Sequence, residues 1–206
     1  MKGSDHIREL VAQEAARLMY EEGVKEYRDA KHKAARRFGA QKAASLGSHL
    51  PSNAEIHAEL RRLLELHEEK VLPERVWRLR LLALSYLELF EPFHPYLVGS
   101  VLSGVVREKS DIDLHLFADS AEEVDDFLRQ RGIPFDFEVT TVRKGNAFLD
   151  YPHFYLDDDG VIVECTVYPA GQRHQAPKSS ITGKAMARAD AKKLRKIIAQ
   201  MIEEEA

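Results

Sequence analysis

The spacing of apolar residues changes at Pro95, and that change decides which folds the chain can adopt. Upstream, Ile7, Leu10, Val11, Ala15, Leu18 and Met19 recur at helical spacing, as do Ile56, Leu60, Leu63, Leu64 and Leu66. This predicts one long helix or two over residues 5 to about 45, then a turn-rich break over residues 47–53. Ser52 or Asn53 caps the next helix, and Pro73 opens a third that is apolar from Val76 to Phe90 and ends at Pro92 and Pro95. Downstream the residues alternate. Strands are predicted at Tyr96–Val98, Asp111–Phe117, Phe135–Val142, His153–Leu156 and Val161–Tyr168, the last two joined by an Asp-Gly turn. A helical turn over Ser103–Arg107, a helix from Ser120 to Gly132 and a last helix around Arg188–Glu205 complete the pattern. The predicted class is α/β or α+β. A helical N-terminal region, residues 1–92, precedes a mixed sheet flanked by helices, residues 93–206.

Chemistry concentrates where the strands begin. Leu97-Val98-Gly99-Ser100 closes one apolar run, and Asp111-Ile112-Asp113-Leu114 opens the next, with Asp111 eleven residues after Ser100. Successive side chains of a strand point to opposite faces, so Asp111 and Asp113 share one face about 7 Å apart. Ile112, Leu114 and Leu116 fill the other. Paired carboxylates on a rigid strand suit divalent cations, which favour hard oxygen ligands. Gly99 lets backbone approach a ligand, and Ser100 adds a hydroxyl beside backbone N–H groups, a small anion cradle. Phosphate on one side and metal on the other is the arrangement phosphoryl or nucleotidyl transfer requires. A third acid would complete it. Glu164 stands mid-strand in Val161–Val167, where Val163, Cys165 and Val167 face the other way, so its charge needs a partner or a metal. Glu138 is its rival, with Asp136 on the same face a weaker candidate. His115 follows Asp113 on the same face as a partly exposed strand histidine that could approach an acceptor. Asp157, Asp158 and Asp159 read as a turn, because the other ligands of a calcium loop are missing.

Gly99-Ser100, the spacer, and Ser110-Asp111-Ile112-Asp113-Leu114 resemble the signature of the polymerase-beta-type nucleotidyltransferase superfamily. The resemblance covers about residues 95–170. It implies a minimal nucleotidyltransferase domain that moves a nucleoside monophosphate from a nucleoside triphosphate to an acceptor hydroxyl, with two magnesium ions. By that resemblance Asp111, Asp113 and Glu164 are catalytic and metal-binding. Gly99, Ser100, Lys109 and Ser110 contact the nucleotide. Family members carry the third acid on a later strand, usually Asp and sometimes Glu. Many also carry Arg before the spacer glycine; here Ser103 precedes Gly104, so one phosphate contact is missing or supplied elsewhere. The acceptor is left open: an RNA end, a small molecule or a protein. The alternative is a domain that keeps this fold but works as an RNA- or protein-binding regulator.

Composition narrows the partners. The 206 residues carry a formal charge of −4, against a protein that coats nucleic acid generally. Two basic stretches remain: Lys25–Lys42, which could follow an RNA backbone, and residues 171–196, with Arg173, Lys178, Lys184, Arg188, Lys192, Lys193, Arg195 and Lys196 against Asp190 alone. The second could fold back toward a triphosphate. Gly183-Lys184 lacks the first glycine of a Walker A loop, the histidines lack zinc-ligand spacing, and there is no Gly-x-Ser-x-Gly elbow. A single cysteine, Cys165, excludes an intrachain disulfide. With no apolar leader and no run of membrane-spanning length, the expectation is a cytoplasmic protein without membrane contact.

Overall fold

The computed structural model describes residues 2–38, 50–144 and 147–205. The chain divides into two compact units, one of residues up to Leu72 with Lys178–Lys184, the other of Pro73–Pro177 with the residues from Ala185 on.

The first unit is helical: α1 (Lys2–Glu21), α2 (Tyr27–Arg37) and α3 (Asn53–His67). Val11, Ala15, Leu18 and Met19 of α1 are buried, as are Ile56, Leu60 and Leu64 of α3. Three buried alanines, Ala30, Ala34 and Ala35, give α2 its inner face. Ser52 and Glu55 form a reciprocal capping box at the start of α3. The basic residues of α2 are partly neutralised: Arg37 pairs with Glu14 and lies 3.0 Å from Glu22, which Lys33 also approaches at 3.6 Å. Residues 39–42 of the basic stretch Lys25–Lys42 lie outside the described chain. So do residues 47–49 of the expected break.

The second unit comprises α4 (Leu72–Leu89), a 3-10 turn at Glu91–Phe93, β1 (Tyr96–Leu97), α5 (Gly99–Ser103), β2 (Ile112–Ala118) and α6 (Ala121–Gln130). Then follow β3 (Asp136–Lys144), β4 (Ala147–Asp158), β5 (Val161–Pro169) and α7 (Ala191–Glu205). The five strands form one mixed sheet in the order β1-β2-β5-β4-β3. β2 and β5 are parallel and the other pairs antiparallel. The class is therefore mixed α/β with flanking helices, as the periodicity implies. Among the described residues no helix is long and apolar enough to cross a membrane.

One sheet face is dry from β1 across to β4, while Phe137 and Val139 of the edge strand β3 stay exposed on it. Leu97, Ile112, Leu114, Leu116, Phe154, Leu156, Val163, Cys165 and Val167 are all buried. Each large side chain among them contributes about 2 kcal/mol. A one-residue slip of any strand would turn its apolar set to the opposite face, so this layer fixes the register. The register in turn fixes what the opposite face presents: Asp113, His115 and Phe117 on β2 beside Glu164, Thr166 and Tyr168 on β5. Tyr155 and His153 of β4 follow, then Asp136 and Glu138 of β3.

α4 lies in the same compact unit as the sheet, from Pro73 on. Arg80 donates to the carbonyls of Val101 and Leu102, at 3.1 and 3.0 Å, and the Tyr86 hydroxyl donates to Asp158 at 2.9 Å. Several boundaries differ from expectation. The helical turn expected over Ser103–Arg107 lies earlier, at Gly99–Ser103, and Gly104 ends it with φ +77°. α7 starts at Ala191 rather than Arg188, because Ala189 exchanges two backbone hydrogen bonds with Leu97, 2.8 and 3.0 Å, along the free side of β1. Asp190 then receives the Lys193 N–H at 2.7 Å, capping the helix. β4 is longer than expected and continues through Pro152. Its pairing with β5 begins only at His153, since proline has no N–H to give a second neighbour. Asp159 and Gly160 both adopt positive φ, 49° and 84°, the turn that Asp-Gly predicts.

Candidate active site

The polar face brings Asp113 and Glu164 together. They are Cα partners in the parallel register of β2 and β5, so their carboxylates leave neighbouring strands on the same side. Gly99 packs against the first of them. Its φ is +70°, and a Cβ there would stand 2.0 Å from Asp113 Oδ2 and 3.0 Å from Cγ. The Val98 N–H donates to the Asp113 carbonyl at 3.0 Å, which locks this approach. Only glycine satisfies both the backbone angle and the space. Ser100 follows in the first turn of α5, half-buried.

Asp111 immediately precedes β2, at the end of a tight turn. Ser110 makes that turn: its N–H donates to the Arg107 carbonyl at 3.2 Å, and its Oγ accepts the Arg107 N–H at 2.8 Å. The Ser110 hydroxyl oxygen thus shapes the loop while its O–H stays able to donate. Lys109 is exposed within it.

Glu164 is held from the next strand. Nδ1 of His153 lies 2.8 Å from Glu164 Oε1, and Thr166 Oγ1 lies 3.4 Å from the same nitrogen. Tyr155 is the β4 neighbour of Glu164, and its hydroxyl pKa is raised, first by burial and then by the charges of Glu164, Glu138 and Asp111. Glu138 itself stands opposite His153 on the edge strand β3, three strand positions from Asp113. Of the two rival acids, Glu164 is the immediate neighbour of Asp113. Asp136 is farther still, opposite Tyr155 on β3.

His115 is not the partly exposed histidine expected. It is 6% exposed, its ring centroid lies 4.7 Å from that of Tyr168, and its Nδ1 has no hydrogen-bond partner among the described residues. Burial, and secondarily the charge of Arg188, holds its pKa down to about 4, so the ring is neutral at pH 7. Arg188 reaches this face because Ala189 is bridged to Leu97. Its guanidinium lies 4.5 Å from the Tyr96 ring centroid and donates to the Arg173 carbonyl at 3.0 Å. By sequence Arg188 is only one cation of a basic segment, and His153 has no role at all. The signal for His153 lies in the strand expected over His153–Leu156, whose alternation already puts His153 on the face of Tyr155. The aspartates at 157–159 form a turn, in which Asp157 Oδ1 accepts the Gly160 N–H at 2.7 Å.

No three His, Cys, Asp or Glu side chains among the described residues converge closely enough to enclose a metal ion. The oxygen donors of Asp113 and Glu164 nevertheless fit magnesium, which is characteristically bound by one or two carboxylates, with water and substrate phosphates supplying the rest. Comparison of the chain with protein-family models, with curated proteins and with solved structures finds no match.

Proposed function

We propose that this chain is a metal-dependent nucleotidyltransferase, built on a nucleotidyltransferase-like sheet, that moves a nucleoside monophosphate from a nucleoside triphosphate to an acceptor hydroxyl. The observation that carries the reading is the pairing of Asp113 with Glu164 in register, with Gly99 pressed against the Asp113 carboxylate. Two acids set side by side on a sheet repel each other, and a divalent cation in their shared space would relieve that repulsion. The glycine at this point lets the Asp113 carboxylate lie directly against the backbone that leads into Ser100.

In this reading Asp111, Asp113 and Glu164 hold two magnesium ions, and Gly99 and Ser100 seat the outer phosphates. The metal supplies charge stabilisation for the phosphates and makes the acceptor hydroxyl easier to deprotonate. Glu164 Oε1 is engaged by His153, so Oε2 is the oxygen offered to a metal or to the hydroxyl proton. The bond from the acceptor oxygen to the α-phosphorus forms as the α–β bridge breaks, the hydroxyl proton passes to a base, and pyrophosphate leaves. An RNA end, a small molecule and a protein all present a hydroxyl that would serve.

Calorimetric titration with each nucleoside triphosphate, with and without magnesium, tests this on wild type and on the Asp111→Ala/Asp113→Ala double variant. The expected result is metal-dependent binding that the double variant loses. Absence of binding for every triphosphate would transfer the chain to the alternative reading, a regulator that binds RNA or protein.

A further inference from the structure

We infer that Arg173, Arg188 and His115 form a phosphate subsite on the sheet face of Asp113 and Glu164, and that it receives a phosphate carried by the acceptor. The acceptor role rests on the nucleotidyl-transfer reading; the phosphate site does not.

Unmet hydrogen-bonding capacity is the first support. Arg173 Nε is buried and lacks a partner among the described residues, and so does Nδ1 of the buried His115. A guanidinium N–H can only donate, so Arg173 Nε calls for an acceptor oxygen. A buried donor left unmet is unfavourable, and a bound oxyanion would meet it.

Charge is the second. Arg188 is fixed by its bond to the Arg173 carbonyl and by the Tyr96 ring beneath it. Among the described residues neither Arg173 nor Arg188 forms an ion pair. Arg188 donates to the Arg173 main-chain carbonyl, so the two arginines are neighbours, and two neighbouring cations without a counter-charge match a phosphate dianion better than a single carboxylate.

Position is the third. β1 runs antiparallel to β2 with Tyr96 opposite His115 and Leu97 opposite Leu114, so the chain enters Gly99 travelling toward the Asp111 end of β2. Gly99 and Ser100 therefore flank the carboxylates on one side, while Tyr96, Arg188 and His115 lie on the other. His115 is two residues beyond Asp113, about 7 Å along the strand. An in-line displacement needs leaving group and nucleophile on opposite sides of the phosphorus. With the triphosphate on the Gly99 flank, the Arg188 flank is the acceptor's. This selects acceptors bearing a phosphate near the reacting hydroxyl, such as a nucleotide or a phosphorylated small molecule.

The test is calorimetric titration of the full chain with inorganic phosphate in the absence of magnesium, on wild type, Arg173→Gln/Arg188→Gln, Arg173→Lys and Asp113→Asn. Wild type should bind saturably, and the double glutamine variant at least tenfold more weakly. Arg173→Lys, which keeps the charge but loses the buried Nε–H, should fall between them, with circular dichroism showing each variant folded. Asp113→Asn should bind as well as wild type or better. No saturable binding, or binding indifferent to both arginines, overturns the subsite. Titration of the double glutamine variant with a triphosphate and magnesium separates the two sources of phosphate: retained binding assigns the subsite to the acceptor, and lost binding returns these arginines to the triphosphate and overturns the acceptor role. If wild type binds phosphate but no triphosphate, the phosphate site stands and the transfer reading fails.

Discussion

Asp113 and Glu164 stand opposite each other across the parallel ladder of β2 and β5, on strands about 4.8 Å apart. Parallel strands bring this pair together only through a long connection, here α6, β3 and β4, so the site depends on the whole sheet being closed. Asp113→Asn should reduce magnesium-dependent nucleotide binding at least 100-fold, with the melting temperature staying within about 3 °C of wild type. Relief of like-charge repulsion across the ladder, worth about 0.2–1 kcal/mol, offsets what the lost charge contributed. Calorimetry and a thermal melt on the same sample check both halves. A collapse of the melting temperature would make Asp113 a fold residue first.

Gly99 and Gly132 offer a matched pair. Both have positive φ, +70° and +66°, but a Cβ at Gly99 meets Asp113 Oδ2 while one at Gly132 meets nothing within 4 Å. Gly132→Ala should cost only the backbone penalty, about 1–2 kcal/mol, and leave nucleotide binding unchanged. Gly99→Ala carries the same penalty and must also displace the carboxylate, so nucleotide binding should fall at least tenfold beyond the control. Equal binding by the two variants would remove Gly99 from the site.

Much of this arrangement is legible in the order of residues alone. The period-2 alternation puts Asp113 opposite Ile112 and Leu114 and Glu164 opposite Val163 and Cys165 on their strands, and Asp159-Gly160 dictates its hairpin, whereas Asp111 lies just before β2 rather than in it. What the residues do not encode locally is which strand lies beside which. Glu164 and Glu138 read alike along their strands, and only the order β2-β5-β4-β3 separates the neighbour from the outlier. The same holds for Arg188. Its helical spacing with the residues after it is good, but two long-range backbone bonds between Leu97 and Ala189 hold that segment extended and delay α7 until Asp190 can cap it. Tertiary pairing overrides local propensity there, and it carries a cation onto the sheet face.

Arg80 is the residue through which α4 supports the site. It is 8% exposed, and it donates to the carbonyls of Val101 and Leu102 at the end of α5, the short helix that begins with Gly99 and Ser100. Burial lowers its pKa, yet the guanidinium remains charged at neutral pH. Arg80→Met keeps much of the volume and strands both carbonyls, at a cost of about 2–3 kcal/mol, or a fall of about 5–10 °C in melting temperature. Nucleotide binding should weaken as well, because α5 loses the anchor of its last turn. Wild-type affinity in the folded variant would show that the Gly99–Ser100 geometry is set by β1 and Asp113 alone.

The helical unit carries its own pH dependence. Arg8 meets the Glu55 carboxylate with two N–H groups, at 2.8 and 2.6 Å, and Ser52 adds its hydroxyl and backbone N–H. The Arg8 bonds foremost, then those of Ser52, bring the Glu55 pKa down from 4.5 to about 2. A depressed carboxylate pKa means the unfolded chain binds the proton more readily. The stabilisation is therefore complete above pH 4.5 and is lost as the pH falls from there toward 2. Both side chains are more than a third exposed, so solvent screening cuts the effect well below the nominal shift. Arg8→Met should lower the melting temperature by about 2 °C at pH 7 and by a vanishing amount near pH 2, with the gap at pH 7 narrowing in molar salt. A gap that persists unchanged at low pH would assign the contribution of Arg8 to packing of its aliphatic stem rather than to its charge.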